Sequence, residues 1–151
     1  MLEIISFYET ERQAHWMNEL GKSDWRAGTY LHELLSNNTF FNIVGEGSKL
    51  LLLTDGDKLV SFCTYAKRDE IQSDELSPWI GFVYTFPEYR GRHYIGMLFD
   101  RIELLAKQQN RSAVYISTDH IGLYEKYGFE FLTEMKSIYG ELSRVYVKQI
   151  K

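Results

Sequence analysis

The stretch TFPEYRGRHYIGMLFDRIELLAKQQ, residues 85–109, decides the fold of this chain. It follows an apolar run typical of a β-strand, residues 79–84, and contains the turn Arg90-Gly91-Arg92. From residue 95 onward, apolar side chains recur at the spacing of one helix face. A strand, a basic glycine turn and a helix start together predict a site for a phosphate-bearing ligand, because free backbone N–H groups and the positive end of the helix dipole meet there.

Length and composition are those of one folded unit. The chain has 151 residues, 44% of them hydrophobic, and no stretch rich in Pro, Ser or Gly divides it. We therefore expect a single domain over residues 1–151. The net charge of −4 argues against a nucleic-acid-binding surface, which normally needs a basic face. The charge would suit a small cationic partner, although it is also ordinary for a dissolved protein.

Cysteine usage and the terminus indicate the compartment. Cys63 is the only cysteine, so we expect no disulfide, a reducing environment and a buried, inert thiol. The N-terminus lacks the basic start and apolar core of a signal peptide, and the longest aliphatic run, residues 50–53, is far too short to span a membrane. The four histidines have no metal-ligand spacing, so no metal is predicted. These patterns favour a cytoplasmic protein without membrane contact. The sequence leaves the choice between a monomer and a homodimer open.

Local patterns predict strands and helices in mixed order. Thr10-x-x-Gln13 is typical of a capping box that opens the first helix, and Ser23 or Asp24 can cap the second. Strands are predicted at residues 2–8, 48–54, 58–66, 79–85, 113–118, 129–138 and 142–148, and helices at residues 10–20, from 23 or 24 to 35, from the basic turn to 109, and at 119–127. Because strands and helices do not alternate regularly, we expect a mixed sheet.

This order, together with two motifs, resembles the GCN5-related N-acetyltransferase (GNAT) superfamily. The first motif, residues 85–92 with the helix that follows, is similar to the family's acetyl-CoA motif. The second, Leu-Tyr-Glu-Lys-Tyr-Gly-Phe at residues 123–129, resembles the family's late Leu-Tyr-x-x-x-Gly-Phe element. The resemblance implies an α/β (α+β) fold with a mixed, mostly antiparallel central sheet of about seven strands flanked by about four helices.

The resemblance also implies an activity, the direct transfer of an acetyl group from acetyl-CoA to the amine of a small molecule, peptide or protein. The residues that it places at the cofactor are Tyr84, Thr85, Arg90, Gly91, Arg92, His93, Tyr94, Ile95 and Gly96. The family's turn usually reads Arg-x-x-Gly-x-Gly/Ala, but here His93 and Ile95 take the two glycine positions and a glycine follows one residue later. Since glycine's missing Cβ permits close approach of a pyrophosphate, this departure concerns the cofactor contacts.

Acetyl transfer to an amine needs a donor for the developing oxyanion and an acid for the departing thiolate. The resemblance assigns the first role to a backbone N–H near Tyr84 or Thr85. It assigns the second to Tyr124, which corresponds to the family's tyrosine near the CoA sulfur. From spacing alone, Tyr124 is more simply an ordinary aromatic residue of an amphipathic helix.

The base that deprotonates the amine is the least determined part of the site. Glu75 is the candidate, with Asp74 and Glu88 as alternatives, although each is also typical of a solvated loop. His120 precedes Tyr124 by four residues and could share its helix face. A different class of function stays open, a non-catalytic acyl-CoA-binding sensor or interaction module, while an RNA-directed acetyltransferase is disfavoured by the acidic balance.

Overall fold

The computed structural model describes residues 1–71, 73 and 75–151. Asp74, one of the candidate bases, lies outside the described residues. Within the described residues, no helix has the length and apolar character needed to cross a bilayer.

One seven-stranded sheet runs through the molecule. Its strands are β1 (Leu2–Ser6), β2 (Lys49–Asp55), β3 (Lys58–Ala66), β4 (Trp79–Thr85), β5 (Ala113–Thr118), β6 (Glu130–Lys136) and β7 (Leu142–Gln149). Their order across the sheet is β1-β2-β3-β4-β5-β7-β6, and every neighbouring pair is antiparallel except β4 and β5. The predicted mixed, mostly antiparallel sheet of seven strands is confirmed.

Four α-helices of the described chain flank the sheet, as predicted in number but not in identity. They are α1 (Gln13–Leu20), α2 (Arg26–Ser36), α3 (Phe40–Val44) and α4 (Tyr94–Gln108). The sequence did not predict α3, because its five residues are too few to show a helical period. The last predicted helix is instead a single 3₁₀ turn, Tyr124–Tyr127, and His120 lies in the loop before it.

Two predicted helix starts are wrong. Arg12, not Thr10, precedes α1, and the Thr10 hydroxyl accepts the Arg12 N–H at 3.2 Å. Trp25 precedes α2, and its N–H donates to the Ser23 hydroxyl at 3.1 Å. In both places the hydroxyl closes a turn just outside the helix, where short polar side chains compete with helical hydrogen bonding.

The core has a layer on each face of the sheet because side chains alternate along each strand. Phe62 of β3 packs on the face covered by α1 and α2, called the α1–α2 face below. Its neighbour Cys63 packs on the opposite face with Leu98 and Ile102 of α4, called the α4 face. Cys63 is fully buried, as predicted, and burial raises the pKa of its thiol, which keeps it unreactive.

The sheet opens between its two parallel strands. β4 and β5 are paired only at Trp79 with Tyr115 and at Ile80 with Ile116, although β4 continues for five more residues. Just beyond this point, the register of β4 against β3 shifts, and Phe82 has a φ of +49°. A bulge with a left-handed residue turns the strand away from its neighbour. The result is a cleft between the carboxyl ends of β4 and β5.

Candidate active site

The turn between β4 and α4 presents a row of unbonded donors. The backbone N–H groups of residues 91–95 have no hydrogen-bond partner within the described chain, and no side chain caps the start of α4. Gly91 and His93 both have left-handed backbones, with φ of 83° and 58°. Alternation of this kind turns successive N–H groups toward one point and forms a concave anion site at the positive end of the helix dipole. The turn predicted to bind phosphate therefore presents unbonded N–H donors at the start of α4.

The two arginines of this turn differ in their contacts. The Arg90 Nε donates to the Thr85 carbonyl at 2.9 Å, and its guanidinium lies 5.4 Å from the centre of the Tyr84 ring. Arg90 therefore ties the turn to the end of β4. Arg92 is exposed and makes neither a hydrogen bond nor an ion pair with any residue that the structure describes. Its charge is available to a phosphate ligand.

Tyr127 lies against the part of the turn that departs from the family pattern. A Cβ on Gly96 would lie 3.2 Å from the Tyr127 ring, so the glycine allows this ring to lie against the first turn of α4. The His93 ring packs beside the same tyrosine, with Nδ1 3.4 Å from its hydroxyl and the ring centres 6.5 Å apart. The side chain at the first unusual position thus contacts the second motif.

We expect His93→Gly to change the affinity for acetyl-CoA by less than about tenfold, because the imidazole packs on Tyr127 and the N–H groups remain. Glycine also removes the cost of a left-handed non-glycine residue, about 1 kcal/mol, which offsets the lost packing. His93→Ala is the matched control, since it removes the ring and keeps the backbone strain. Calorimetry with acetyl-CoA and urea unfolding measure both effects. An affinity loss far above tenfold in both variants would show that the imidazole itself holds a phosphate.

The end of β4 offers one of the two predicted oxyanion donors. The Phe86 N–H donates to the Val60 carbonyl of β3 at 3.0 Å, so by strand alternation the N–H of Thr85 points away from β3. The strand on that side would be β5, whose pairing with β4 has already ended. The side chain of Tyr84 lies on the α1–α2 face, where its hydroxyl donates to Asp24 at 3.1 Å. Among the predicted pair, the N–H of Thr85 is the donor turned toward the cleft.

Tyr124 begins the 3₁₀ turn after β5 and lies on the α4 face, 6% exposed. Its ring packs between Phe99 and Phe129, with ring centres 5.9 and 6.3 Å away. Burial, together with the nearby Cys63 and Tyr127, raises the pKa of its hydroxyl to about 12. The hydroxyl donates no hydrogen bond within the described part of the chain. Tyr124 therefore stays protonated at neutral pH and has a proton available for a ligand.

The candidate bases in the described chain lie in solvent. Glu75 is exposed, and only its backbone N–H is engaged, donating to the Ser73 hydroxyl at 3.1 Å. Glu88 is also exposed, in the 3₁₀ turn Pro87–Tyr89. Neither carboxylate takes part in a hydrogen bond or ion pair with described residues. The structure thus gives neither of them the fixed position that a base needs.

A carboxylate that sequence reasoning did not single out lies against β4. A Cβ on Gly81 would overlap Oδ1 of Asp69, so this glycine admits the carboxyl group to the strand backbone. One available sequence signal was Gly81 itself, because a glycine within an apolar strand often marks a close approach. No group of three or more metal-binding side chains was found among the residues that the structure describes.

Several solved structures share this architecture. An acetyltransferase from Streptococcus agalactiae superposes with a TM-score of 0.67 at 19% identity, covering 98% of each chain. A GNAT-family acetyltransferase from Staphylococcus aureus gives 0.66 at 18%, covering 100% of each chain. An aminoglycoside 6′-N-acetyltransferase solved with coenzyme A gives 0.66 at 12%, covering 99% of this chain and 97% of its own.

The sequence was also compared with family models and with curated proteins. No curated protein matches it significantly. The model of the acetyltransferase (GNAT) family matches residues 7–129, a range that contains the cleft, the phosphate turn and Tyr124. This protein therefore belongs to the GNAT family of acetyltransferases.

Proposed function

We propose that this protein binds acetyl-CoA and transfers its acetyl group to the amine of a small molecule or peptide. The observation that carries the proposal is the row of five unbonded N–H groups at residues 91–95, next to the end of β4 at Thr85, where the pairing of β4 with β5 has ended. Tyr124 lies in the turn that follows β5. A pyrophosphate suits such a row, and Arg92 supplies a cation beside it. Two structural neighbours, solved with coenzyme A and with acetyl-CoA, support this choice of ligand.

The transfer step follows from the polar groups around the cleft. The N–H of Thr85 donates to the thioester oxygen as the amine nitrogen attacks the carbonyl carbon. The carbon–sulfur bond then breaks, and the Tyr124 hydroxyl gives its proton to the departing sulfur and regains one from solvent. A separate group must accept the proton that the amine nitrogen loses, because a lysine-like amine has a pKa of about 10.4 and must be neutral to react.

The net charge of the protein is the basis for proposing the class of acceptor amine. The net charge of −4 favours a cationic amine over an acidic one. Two structural neighbours are named aminoglycoside 6′-acetyltransferases, so amino sugars belong among the acceptors to be tested. Polyamines, aromatic amines and peptides with a free N-terminus complete a panel that separates charge from shape.

We expect acetyl-CoA-dependent release of free thiol with at least one amine of this panel. Mass spectrometry should show a product in which one acetyl group has replaced one hydrogen of the amine. Reactions without amine give the background hydrolysis. Tight binding of acetyl-CoA without transfer to any amine would contradict the proposed transferase activity and favour a non-catalytic acyl-CoA sensor. Absence of both binding and transfer would also contradict the proposal that acetyl-CoA is the ligand.

A further inference from the structure

The loop that carries Asp69 is anchored on both sides of this residue. On one side, the Arg68 N–H donates to the Val44 carbonyl at 2.9 Å, and its guanidinium donates to two further carbonyls at the end of α3. On the other side, the Glu70 carboxylate accepts the Ser117 hydroxyl of β5 at 2.9 Å, and the Glu70 carbonyl accepts the Ile138 N–H at 2.8 Å. Asp69 therefore has a fixed position, unlike Glu75 in the same loop.

That position is on the backbone of β4, at the residue before the bulge. A Cβ on Gly81 would overlap Asp69 Oδ1 and would lie 3.0 Å from Thr64 Oγ1, so both oxygens converge on one point. Thr64 lies on the α1–α2 face, because Phe62 and Ala66 on either side of it in β3 pack there. Its hydroxyl is enclosed and has no hydrogen-bond partner among the described residues. The carboxyl thus lies beside an unused hydroxyl, next to Phe82.

Acid and base candidates therefore lie on opposite faces of the sheet. Tyr124 is on the α4 face and the Asp69 carboxyl is on the α1–α2 face, with the bulge at Phe82 between them. An acetyl group held at the end of β4 can be reached by an amine from one face while its sulfur lies toward the other. Such separation is what direct transfer needs, because the proton leaves the nitrogen and arrives at the sulfur on different sides of the carbonyl carbon.

The surroundings of the carboxyl suit proton transfer near neutrality. Burial and the charge of Glu70, partly offset by the Glu70 N–H that bonds to the carboxyl, together raise the pKa of Asp69 to about 7. The groups of β3 and β4 that face it, Thr64 and Gly81, carry no charge. A base is most effective when its pKa lies close to the working pH, so this environment matches the task.

We infer that Asp69 is the general base of this enzyme, with Arg68 and Glu70 as the residues that position it. The inference rests on the proposed acetyl transfer. The cationic amine first gives one proton to Asp69, directly or through one water, and Asp69 passes it to solvent. As the carbon–nitrogen bond forms and the carbon–sulfur bond breaks, the nitrogen loses its second proton to water, and Tyr124 protonates the sulfur and regains a proton from solvent. The net change is the release of one proton, and no further reactant is needed.

The test compares Asp69→Asn with wild type on two kinds of nucleophile. For the best cationic amine of the panel, we expect kcat/KM at pH 7 to fall by roughly 10²–10³ with an unchanged Kd for acetyl-CoA. The loss should shrink as the pH approaches the pKa of that amine. With hydroxylamine, which is already neutral at pH 7, it should stay below about tenfold. The wild-type pH profile should show a limb near pH 7 that Asp69→Asn lacks.

Two further variants make the result specific. Gly81→Ala keeps the carboxylate but displaces it, so we expect the same loss of the limb near pH 7. Glu46→Gln, at an exposed turn, is the matched control and should keep wild-type activity. An equal loss of kcat/KM in Asp69→Asn with hydroxylamine and with the cationic amine would show that Asp69 has a structural role. If Glu75→Gln alone lost the limb of the pH profile near pH 7, Glu75 would be the base. Either result overturns the inference and leaves acetyl transfer intact, whereas a wild type inactive on every amine refutes the transfer and the inference together.

Discussion

Tyr124→Phe is expected to lower kcat by roughly 10²–10⁴-fold while the Kd for acetyl-CoA stays nearly unchanged, because a positioned general acid contributes about that much to rate. The substitution removes one hydroxyl and keeps the ring between Phe99 and Phe129, so packing survives. Stopped-time assays of thiol release at saturating acetyl-CoA give kcat, and calorimetry gives the Kd. The deficit should narrow as the pH rises past the thiol pKa of about 8.5, since the thiolate then leaves without needing a proton.

Tyr127→Phe is the matched control for this result. Tyr127 belongs to the same 3₁₀ turn and loses the same atom, but its hydroxyl contacts His93. We expect only a few-fold change in kcat. Wild-type kcat in Tyr124→Phe on a confirmed acceptor would end the catalytic assignment and leave water as the proton source.

Asp69 should also make the stability of the protein depend on pH. Its carboxyl has a pKa of about 7 in the folded state against 3.8 when it is freely solvated in the unfolded chain, so the folded state binds a proton more tightly. The free energy of unfolding therefore falls as the pH rises from about 4 to about 7, and it is lowest, as far as this group is concerned, above pH 7. Asp69→Asn removes this penalty and should be more stable than wild type at pH 8, by at most about 4 kcal/mol.

Urea unfolding of both proteins at pH 5 and pH 8 measures this difference. The variant's advantage should grow by about 2–3 kcal/mol between the two values, because most of the titration lies in that window. Other titrating groups are common to both proteins and cancel in the comparison. An advantage that is equal at both pH values would mean that the carboxyl is solvated, contrary to its place against Gly81.

The sequence predicted the parts of the molecule that depend on local patterns. The strands in their order along the chain and the glycine turn before α4 follow from residues within one segment each. The helix expected at residues 119–127 failed because Gly122 and Gly128, with φ of 91° and 93°, leave room for one short turn only. The surroundings of Asp69 could not be predicted, since they depend on contacts with Gly81, Ser117 and Ile138, which are distant in sequence.

The single parallel pair of the sheet has a consequence for how the molecule holds together. β1 to β4 form one antiparallel half and β5 to β7 the other, and the pairing between them covers two register positions. A molecule lying in the cleft touches both halves, so its binding energy also strengthens the seam between them. Bound acetyl-CoA would then stabilise the contact between the two halves of the sheet. Each turnover, by releasing the cofactor product, would briefly weaken that contact.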